Sequence, residues 1–212
     1  MFRAYVTDDH ALLRQGLKSL LSDDPELRIT GESGTGKETL KDLAQGGYDL
    51  LVLDLSLPDM DGFEILQKVK RHHPELPVMI LTLHADVSLA VRLLKLGASG
   101  YALKEMDPHQ IIDAMRRIAR GGRFLAPELA ARMAERVSTE LDVSPHERLS
   151  DREYTVFLKL ASGISLANTA RELNISASTV STHRDHILKK LELPNTAALI
   201  RYAVANKLLL PR

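Results

Sequence analysis

Residues 50–62 have the sequence Leu50-Leu51-Val52-Leu53-Asp54-Leu55-Ser56-Leu57-Pro58-Asp59-Met60-Asp61-Gly62. The predicted fold of the first part of the chain depends on this stretch. Its apolar run has the length of a strand and is too short for a stable isolated helix. The run ends at one carboxylate, Asp54, and a proline and an Asp-Gly turn signal follow. Asp54 is therefore predicted at the carboxyl end of a strand, which is the edge where ligands bind in an open parallel sheet.

Length and composition limit the classes of protein that need to be considered. A chain of 212 residues exceeds one average domain and favours two. The absence of cysteine excludes disulfides, a thiol nucleophile and cysteine-ligated metals. No apolar run approaches the roughly 18 residues of a membrane span, and the first residues lack the apolar core of a signal peptide. We therefore expect a soluble, cytoplasmic protein with no membrane partner.

Charge is distributed unequally between the two ends of the chain, although the formal net charge is zero. Residues 147–212 hold 10 Lys and Arg against 6 Asp and Glu, a net charge of +4. Residues 1–146 hold 18 against 22, a net charge of −4. A basic end favours a polyanionic partner, although four charges are also within the range of ordinary solvated surface.

Strand-like and helix-like patterns alternate along the first 120 residues. The predicted strands lie at Ala4–Thr7, Arg28–Gly31, Leu50–Asp54, Val78–Thr82 and Gly100–Leu103. The segments between them carry apolar residues at helical spacing, and crossovers of this length require parallel pairing. The pattern predicts an α/β domain with a five-stranded, doubly wound parallel sheet.

Charged and polar side chains follow four of these strands at the same predicted edge of the sheet. They are Asp8 and Asp9 after the first strand, Asp54 after the third, Thr82 at the end of the fourth, and Lys104 after the fifth. Clustered carboxylates repel one another unless a divalent cation such as Mg²⁺ lies among them. A cation, a lysine and a hydroxyl around one acid can hold a phosphoryl group, so Asp54 is predicted to be the nucleophile that forms an aspartyl phosphate. The alternative is that Asp9 and Asp54 only cap helices and Lys104 pairs with Glu105.

Residues 1–123 resemble the receiver domain of two-component response regulators, which has a flavodoxin-like fold. The resemblance is carried by Asp8-Asp9-His10, by Asp54 with Leu57-Pro58-Asp59-Met60-Asp61-Gly62, by Thr82, and by Gly100-Tyr101 before Lys104. It implies that Asp54 accepts a phosphoryl group from a sensor histidine kinase. It further implies that Asp9, Asp54 and the Ser56 carbonyl bind Mg²⁺, with Asp8 acting largely through water.

The same resemblance assigns roles to three further residues. Thr82 and Lys104 would contact the phosphoryl oxygens. Tyr101 would change rotamer as Thr82 moves and so alter the face formed by residues 85–96 and the last strand. Ordinary packing is an equally simple explanation for Tyr101.

A glycine-rich stretch offers a competing interpretation. Gly31-Glu32-Ser33-Gly34-Thr35-Gly36-Lys37-Glu38 fits most of the phosphate-loop pattern of ATPases and lies between a predicted strand and a predicted helix. Glu38, however, stands where a magnesium-binding Ser or Thr is expected. The ATPase interpretation also leaves the acids, Thr82 and Lys104 without a role, so we do not favour it.

Residues 124–146 are predicted to connect two domains. The Gly121-Gly122 pair ends the fifth helix, and Pro127 begins a short one. Residues 138–146 show neither helical nor strand periodicity and are interpreted as a flexible tether. A tether of this kind would let the first domain cover or release the second, which we place at residues 147–212.

The last segment has the spacing of a small all-α helix-turn-helix domain. Ser150-Asp151-Arg152-Glu153 is a capping-box sequence, Gly163 ends a first helix, and Ser176 caps a third helix. On that third helix Val180, His183, Ile187 and Leu191 share the inner face, so His183 is predicted to pack rather than to contact bases. Residues 149–210 resemble the LuxR-type helix-turn-helix, and the whole chain resembles a NarL/FixJ-type response regulator.

The resemblance predicts a DNA-binding face on the third helix. Thr179 and Lys190 would contact phosphates, Ser181, Thr182 and Asp185 would face bases, and Arg184 and Lys189 would lie on the same outer face. The sequence departs from its relatives, which often have Lys at the positions of Ser181 and Asp185 and a nonpolar residue at Thr169. Affinity and half-site therefore cannot be carried over.

Together these observations predict a phosphorylation-activated, DNA-binding transcription regulator that is not an enzyme. Its cofactor would be Mg²⁺, its partners a sensor histidine kinase and double-stranded DNA, and its active form a homodimer, since one small module rarely provides enough specificity. The alternative is a phosphate-independent DNA binder whose receiver serves only as a dimerisation module.

Overall fold

The structure is a computed structural model, and it describes residues 1–138, 144–173, 175–206 and 208. The chain divides into two compact units. The first consists of Met1–Leu83 with Leu89–Ala130, and the second of His84–Ser88 with Ala131–Arg212. The domain boundaries predicted at residues 123 and 146 stay a prediction. Within the described residues, no helix has the length and apolarity needed to cross a membrane.

A parallel sheet forms the centre of the first unit. Its strands are β1 (Phe2–Thr7), β2 (Leu27–Ser33), β3 (Leu50–Leu53), β4 (Val78–Thr82), β5 (Gly100–Leu103) and β6 (Phe124–Leu125). Their order is β2-β1-β3-β4-β5-β6, and every neighbouring pair is parallel. The helices between them are α1 (Ala11–Leu20), α2 (Gly36–Leu43), α3 (Gly62–His72), α4 (Val87–Lys95) and α5 (Pro108–Ala119). The predicted doubly wound parallel sheet is confirmed.

Strand β3 lies in the interior of this sheet, between β1 and β4. All of its residues are buried, as expected for a parallel strand that is covered on both faces. Because the neighbouring strands run parallel to β3, their carboxyl ends meet at the same edge. This geometry places the residues after β1, β3 and β5 at one edge of the sheet, with the end of β4 between those of β3 and β5.

The sixth strand is a difference from the sequence prediction. It has only two residues, which pair with β5 as Gly100↔Phe124 and Tyr101↔Leu125. From the sequence, residue 124 is predicted at the start of the connection between the domains. A two-residue strand is too short to show a period, so no local pattern could indicate it.

A buried carboxylate anchors α5 to the start of β2. Asp24 accepts hydrogen bonds from the N–H groups of Glu26 and Leu27, at 2.8 and 2.9 Å, and from the Arg116 guanidinium on α5. The Arg116 hydrogen bond holds the pKa of Asp24 below its usual value. This connection fixes α5, the helix that follows the Lys104 loop.

The second unit is helical. Its elements are the end of α6 (Pro127–Ser138), a short 3₁₀ helix (Pro145–Arg148), α7 (Asp151–Ala161), α8 (Leu166–Glu172), α9 (Ala177–Lys190) and α10 (Thr196–Ala205). The predicted capping box is confirmed, since Ser150 Oγ accepts from the N–H of Glu153 and Glu153 accepts from the N–H of Ser150. Ser176 likewise caps α9. Helices α8 and α9 form the predicted helix-turn-helix.

The predicted tether differs from the structure at its carboxyl end. Residues 139–143 lie outside the described residues. His146, however, belongs to the 3₁₀ helix and is 2 % exposed. Its Nδ1 lies 2.9 Å from the hydroxyl of Tyr202 on α10. The 3₁₀ helix that carries His146 has only four residues, which is too few to show a periodicity that would indicate burial of this side chain.

Candidate functional site

The ends of β1, β3 and β5 bring two carboxylates and one ammonium together. The Asp8 and Asp54 side chains are 1 % exposed and that of Lys104 is 7 % exposed. Lys104 Nζ donates to Asp54 Oδ2 at 2.8 Å and lies 2.7 Å from Asp8 Oδ2. Lys104 thus pairs with the two buried acids, and Asp61 rather than Asp54 caps α3. The arrangement favours the site interpretation over the helix-cap alternative.

Burial and ion pairing shift the pKa values of the side chains in this cluster in opposite directions. Burial raises the pKa of the Asp54 carboxyl, and the charge and hydrogen bond of Lys104 offset only part of that rise. The negative charge of Asp8 raises the pKa of Asp54 further. Burial alone would lower the pKa of Lys104, but its contacts with Asp54 and Asp8 raise it above the usual value. Lys104 is therefore a permanent positive charge beside Asp54.

Asp9 and His10 lie beside the two buried acids at this edge and complete a group of possible metal ligands. One ligand atom each from Asp8, Asp9, His10 and Asp54 can be chosen so that all lie within 4.8 Å of one another. His10 Nδ1 is 2.7 Å from Asp9 Oδ1 and 3.1 Å from Asp8 Oδ1. His10 had no predicted role, and its position directly after two site acids is the only signal the sequence offered.

The donor set fits a hard divalent cation. When ionised, Asp8, Asp9 and Asp54 place three negative charges beside the single ammonium of Lys104. A divalent cation would balance the remaining negative charge. Carboxylate oxygens are the ligands that Mg²⁺ prefers, whereas softer metals favour thiolates and imidazoles.

Ser56, Thr82 and Tyr101 lie around this group in different environments. Ser56 is exposed in the loop after β3, and its backbone N–H favours the ionised form of Asp54 by hydrogen bonding. Thr82 ends β4 and Tyr101 lies on β5, and both are fully buried. Burial suits the packing explanation for Tyr101, and its change of rotamer stays a prediction.

The glycine-rich stretch binds a carboxylate of the same chain. The N–H groups of Gly36 and Lys37, at the start of α2, donate to Asp59 Oδ1 and Oδ2 at 2.8 and 3.0 Å. A Cβ on Gly36 would come within 2.5 Å of Ile65 Cδ1 and 3.0 Å of Met60 Cβ. Close packing therefore explains this glycine, and Asp59 already holds the donors that an ATPase would offer to phosphate. The geometry counts against the ATPase interpretation.

Helix α9 presents the predicted DNA-facing residues in two groups. Thr179, Thr182, Asp185, Lys189 and Lys190 are exposed, whereas Ser181 and Arg184 are half-buried. The Arg184 guanidinium donates to Asp185 Oδ1 at 2.8 Å and to Ser181 Oγ at 3.3 Å. Asp185 therefore partly neutralises Arg184 on this face, and the two would act on DNA together.

Lys190 has an intramolecular partner that the sequence analysis missed. Its Nζ donates to Glu153 Oε2 at 2.6 Å, and the same carboxylate belongs to the capping box of α7. Burial tends to raise the pKa of Glu153, but the hydrogen bonds from Lys190 and Ser150 bring it below its usual value. Lys190 thus fastens the end of α9 to the start of α7, and its phosphate contact stays a prediction.

Two further residues of this domain, His183 and Thr169, are partly and fully buried, respectively. His183 is half-buried, and its pKa is lowered by burial and then by Arg152. Its predicted packing role is neither confirmed nor contradicted. Thr169 is fully buried, and its Oγ1 has no hydrogen-bond partner among the described residues. The departure from a nonpolar residue at this position therefore leaves an unsatisfied hydroxyl in the core.

Comparison with known protein families matches two separate segments of the chain. Residues 4–116 match the response regulator receiver domain, and residues 147–203 match the luxR family of bacterial regulatory proteins. The response regulator protein VraR of Staphylococcus aureus is 32% identical over 207 residues, which cover 98% of each chain.

Solved structures of RcsB are similar to the whole chain. RcsB from Salmonella enterica serovar Typhimurium, bound to promoter P1flhDC in the presence of the phosphomimetic BeF₃⁻, is 25% identical with a TM-score of 0.76, covering 96% of this chain and 98% of that one. A structure of two RcsB dimers on two parallel DNAs is 26% identical with a TM-score of 0.61, covering the same shares. The two matched families are those of response regulators and of bacterial regulatory proteins, not of enzymes. The chain therefore belongs to the two-component response regulators of the NarL/FixJ family, in which a receiver domain precedes a LuxR-type DNA-binding domain.

Proposed function

We propose that this chain is a DNA-binding transcription regulator that is activated by phosphorylation of Asp54. The observation that carries the proposal is the buried contact of Lys104 Nζ with Asp54 Oδ2, at 2.8 Å, and with Asp8 Oδ2, at 2.7 Å. An ammonium fixed beside a carboxylate can hold a phosphoryl group that arrives at that carboxylate. A helix cap or a surface ion pair would not require this burial.

The proposed reaction is transfer of a phosphoryl group from a phosphohistidine of a sensor kinase. A carboxylate oxygen of Asp54 attacks phosphorus, a phosphorus–oxygen bond forms, and the phosphorus–nitrogen bond breaks as the imidazole nitrogen leaves with its electron pair. Lys104 and the Thr82 hydroxyl would bind the phosphoryl oxygens. Asp8, Asp9, Asp54 and the Ser56 carbonyl would hold Mg²⁺, directly or through water, and the cation would neutralise charge on the transferred group.

The proposed response links this site to DNA binding. Phosphorylation would draw Thr82 toward the new group, turn Tyr101, and change the face around α4. The altered face would then permit dimerisation and paired binding of two α9 helices to a two-half-site operator. RcsB dimers bound to DNA support the dimer. Bacterial chromosomal DNA lies in the cytoplasm, so the chain would act there.

Selection of bound DNA from a random pool, with and without acetyl phosphate and Mg²⁺, tests this function. We expect an enriched sequence with two half-sites, bound more tightly by the treated protein. The alternative is a phosphate-independent regulator whose receiver is only a dimerisation module. The same sequence enriched with equal affinity in both samples would favour that alternative, and no enriched sequence in either sample would contradict sequence-specific binding.

Substitutions on α9 should separate base contacts from phosphate contacts. Thr182→Ala is expected to weaken binding unequally among operator variants, by about 1 kcal/mol where a base contact is lost. Lys189→Ala should weaken binding to all sequences and reduce the salt-dependence slope by about 1. Both effects can be measured by fluorescence anisotropy over a salt series.

Lys189 is a better probe of phosphate contact than its neighbour. Lys190→Ala would also remove the hydrogen bond to Glu153, so it should lower the stability of the domain as well as its affinity for DNA. Thermal unfolding of the three variants provides the control. Identical sequence and salt profiles for Thr182→Ala and Lys189→Ala would contradict the proposed orientation of α9.

A further inference from the structure

Asp59 lies in the loop between β3 and α3 and binds the start of a different helix. Its two carboxylate oxygens accept from the consecutive N–H groups of Gly36 and Lys37, at 2.8 and 3.0 Å. These N–H groups belong to the first turn of α2, where backbone donors have no partner within the helix. Asp59 therefore connects the loop after the phosphoacceptor strand to α2 by two charge-assisted hydrogen bonds.

Helix α2 also has a cap of its own. Thr35 Oγ1 accepts from the N–H of Glu38, at 3.4 Å, as an N-cap side chain does. The bonds from Asp59 therefore do more than begin the helix, because they attach one segment to another. The close approach of Gly36 to Met60 and Ile65 shows that the two segments are tightly packed where Asp59 joins them.

The loop that carries Asp59 is closed on itself. The N–H of Gly62 donates to the carbonyl of Leu55 at 3.3 Å, and Ser56 forms an antiparallel bridge with Asp61. A Cβ on Gly62 would come within 2.6 Å of Leu55 Cα, so the two ends of the loop are held close together. A closed loop moves as one piece, and its attachment through Asp59 therefore restrains Ser56 as well.

We propose that Asp59 is a positioning residue for the phosphoacceptor site. By fixing the closed loop to α2, it holds the backbone of Ser56 beside Asp54, and the carbonyl of Ser56 is a proposed Mg²⁺ ligand. The proposal rests on the proposed function of Asp54 and extends it to a residue outside the acid cluster. Without Asp59, the cation would have to fix the position of the closed loop at the cost of binding free energy.

Asp59→Ala is expected to weaken Mg²⁺ binding by about tenfold, the lower end of what is typical for a group that orients a metal ligand. Isothermal titration of the full chain with MgCl₂ measures this directly. Labelling by acetyl phosphate, followed by intact mass, should need about ten times more Mg²⁺ for half its maximal rate. The maximal rate itself should be retained, because saturating cation restores the ligand geometry.

Two further variants separate positioning from general destabilisation. Thr35→Ala damages the same helix end but leaves the Asp59 attachment intact, so its Mg²⁺ affinity should equal that of the wild type. Asp59→Asn keeps one acceptor oxygen and should lie between the wild type and Asp59→Ala. It also serves if Asp59→Ala fails to fold.

The outcomes also distinguish this proposal from the function on which it rests. Wild-type affinity in both Asp59 variants, or equal losses in Asp59→Ala and Thr35→Ala, would overturn the role of Asp59 and leave that of Asp54 intact. A wild-type chain that binds no Mg²⁺ and takes up no phosphoryl group would refute both.

Discussion

Asp54→Asn is expected to abolish phosphoryl uptake from acetyl phosphate completely. An amide oxygen is a poor nucleophile, and Asp8, the other acid beside Lys104, is proposed to hold Mg²⁺ rather than to accept the phosphoryl group. Intact mass should show one added phosphoryl group on the wild type and none on the variant. The variant should also show no tighter DNA binding after treatment with acetyl phosphate and Mg²⁺.

Asp107→Asn provides the matched control for this experiment. Asp107 is an exposed carboxylate that caps α5 by accepting from the N–H of His109 at 2.8 Å. Its replacement should leave labelling intact. If Asp54→Asn were labelled as fully as the wild type, the phosphoacceptor would be another residue, and the proposed switch would lose its basis.

Lys104→Met is expected to destabilise the receiver by about 3 kcal/mol at neutral pH without Mg²⁺, because it leaves two buried carboxylates without their cation. Denaturant unfolding measures the loss. Addition of Mg²⁺ should restore more stability to the variant than to the wild type, since a divalent cation replaces the missing charge. Lys68→Met is the control, because Lys68 forms a partly exposed pair with Glu64 at 2.8 Å that should contribute little.

The cost of Lys104→Met should depend on pH in a defined direction. Burial raises the pKa of Asp54 above its unfolded value of 3.8, so its ionised form destabilises the folded state above the raised pKa. Loss of Lys104 increases this effect. The stability difference from the wild type should therefore be largest at neutral pH and shrink as the pH falls through the raised pKa of Asp54 toward 3.8. A difference that stays constant over this range would show that lost packing, not charge, is responsible.

The sequence predicted the sheet and the meeting of its polar residues because both follow from local patterns. Apolar runs of strand length show where strands end, and parallel pairing then brings those ends together. Asp8, Asp54 and Lys104 could be named for this reason, and the structure brings them into contact. Their roles in phosphoryl transfer stay predictions.

Long-range pairs left no comparable signal. Asp59 and the N–H groups of α2 are distant in sequence, and an acid beside a turn ordinarily indicates only the turn. The resemblance to the LuxR-type helix-turn-helix predicted that Lys190 contacts DNA phosphates, whereas its bond to Glu153 depends on how α7 and α9 pack. Such contacts follow from tertiary structure rather than from periodicity.

The Asp59 carboxylate has a consequence for the annotation of genomes. The turn before α2 has the glycines and the lysine of a nucleotide loop, yet it carries its own anion as part of the polypeptide. A survey that scores only the spacing of glycine and lysine would count such chains among ATP-hydrolysing proteins. An acidic residue in the loop after the next strand indicates that the N–H groups of the turn already bind a carboxylate of the same chain.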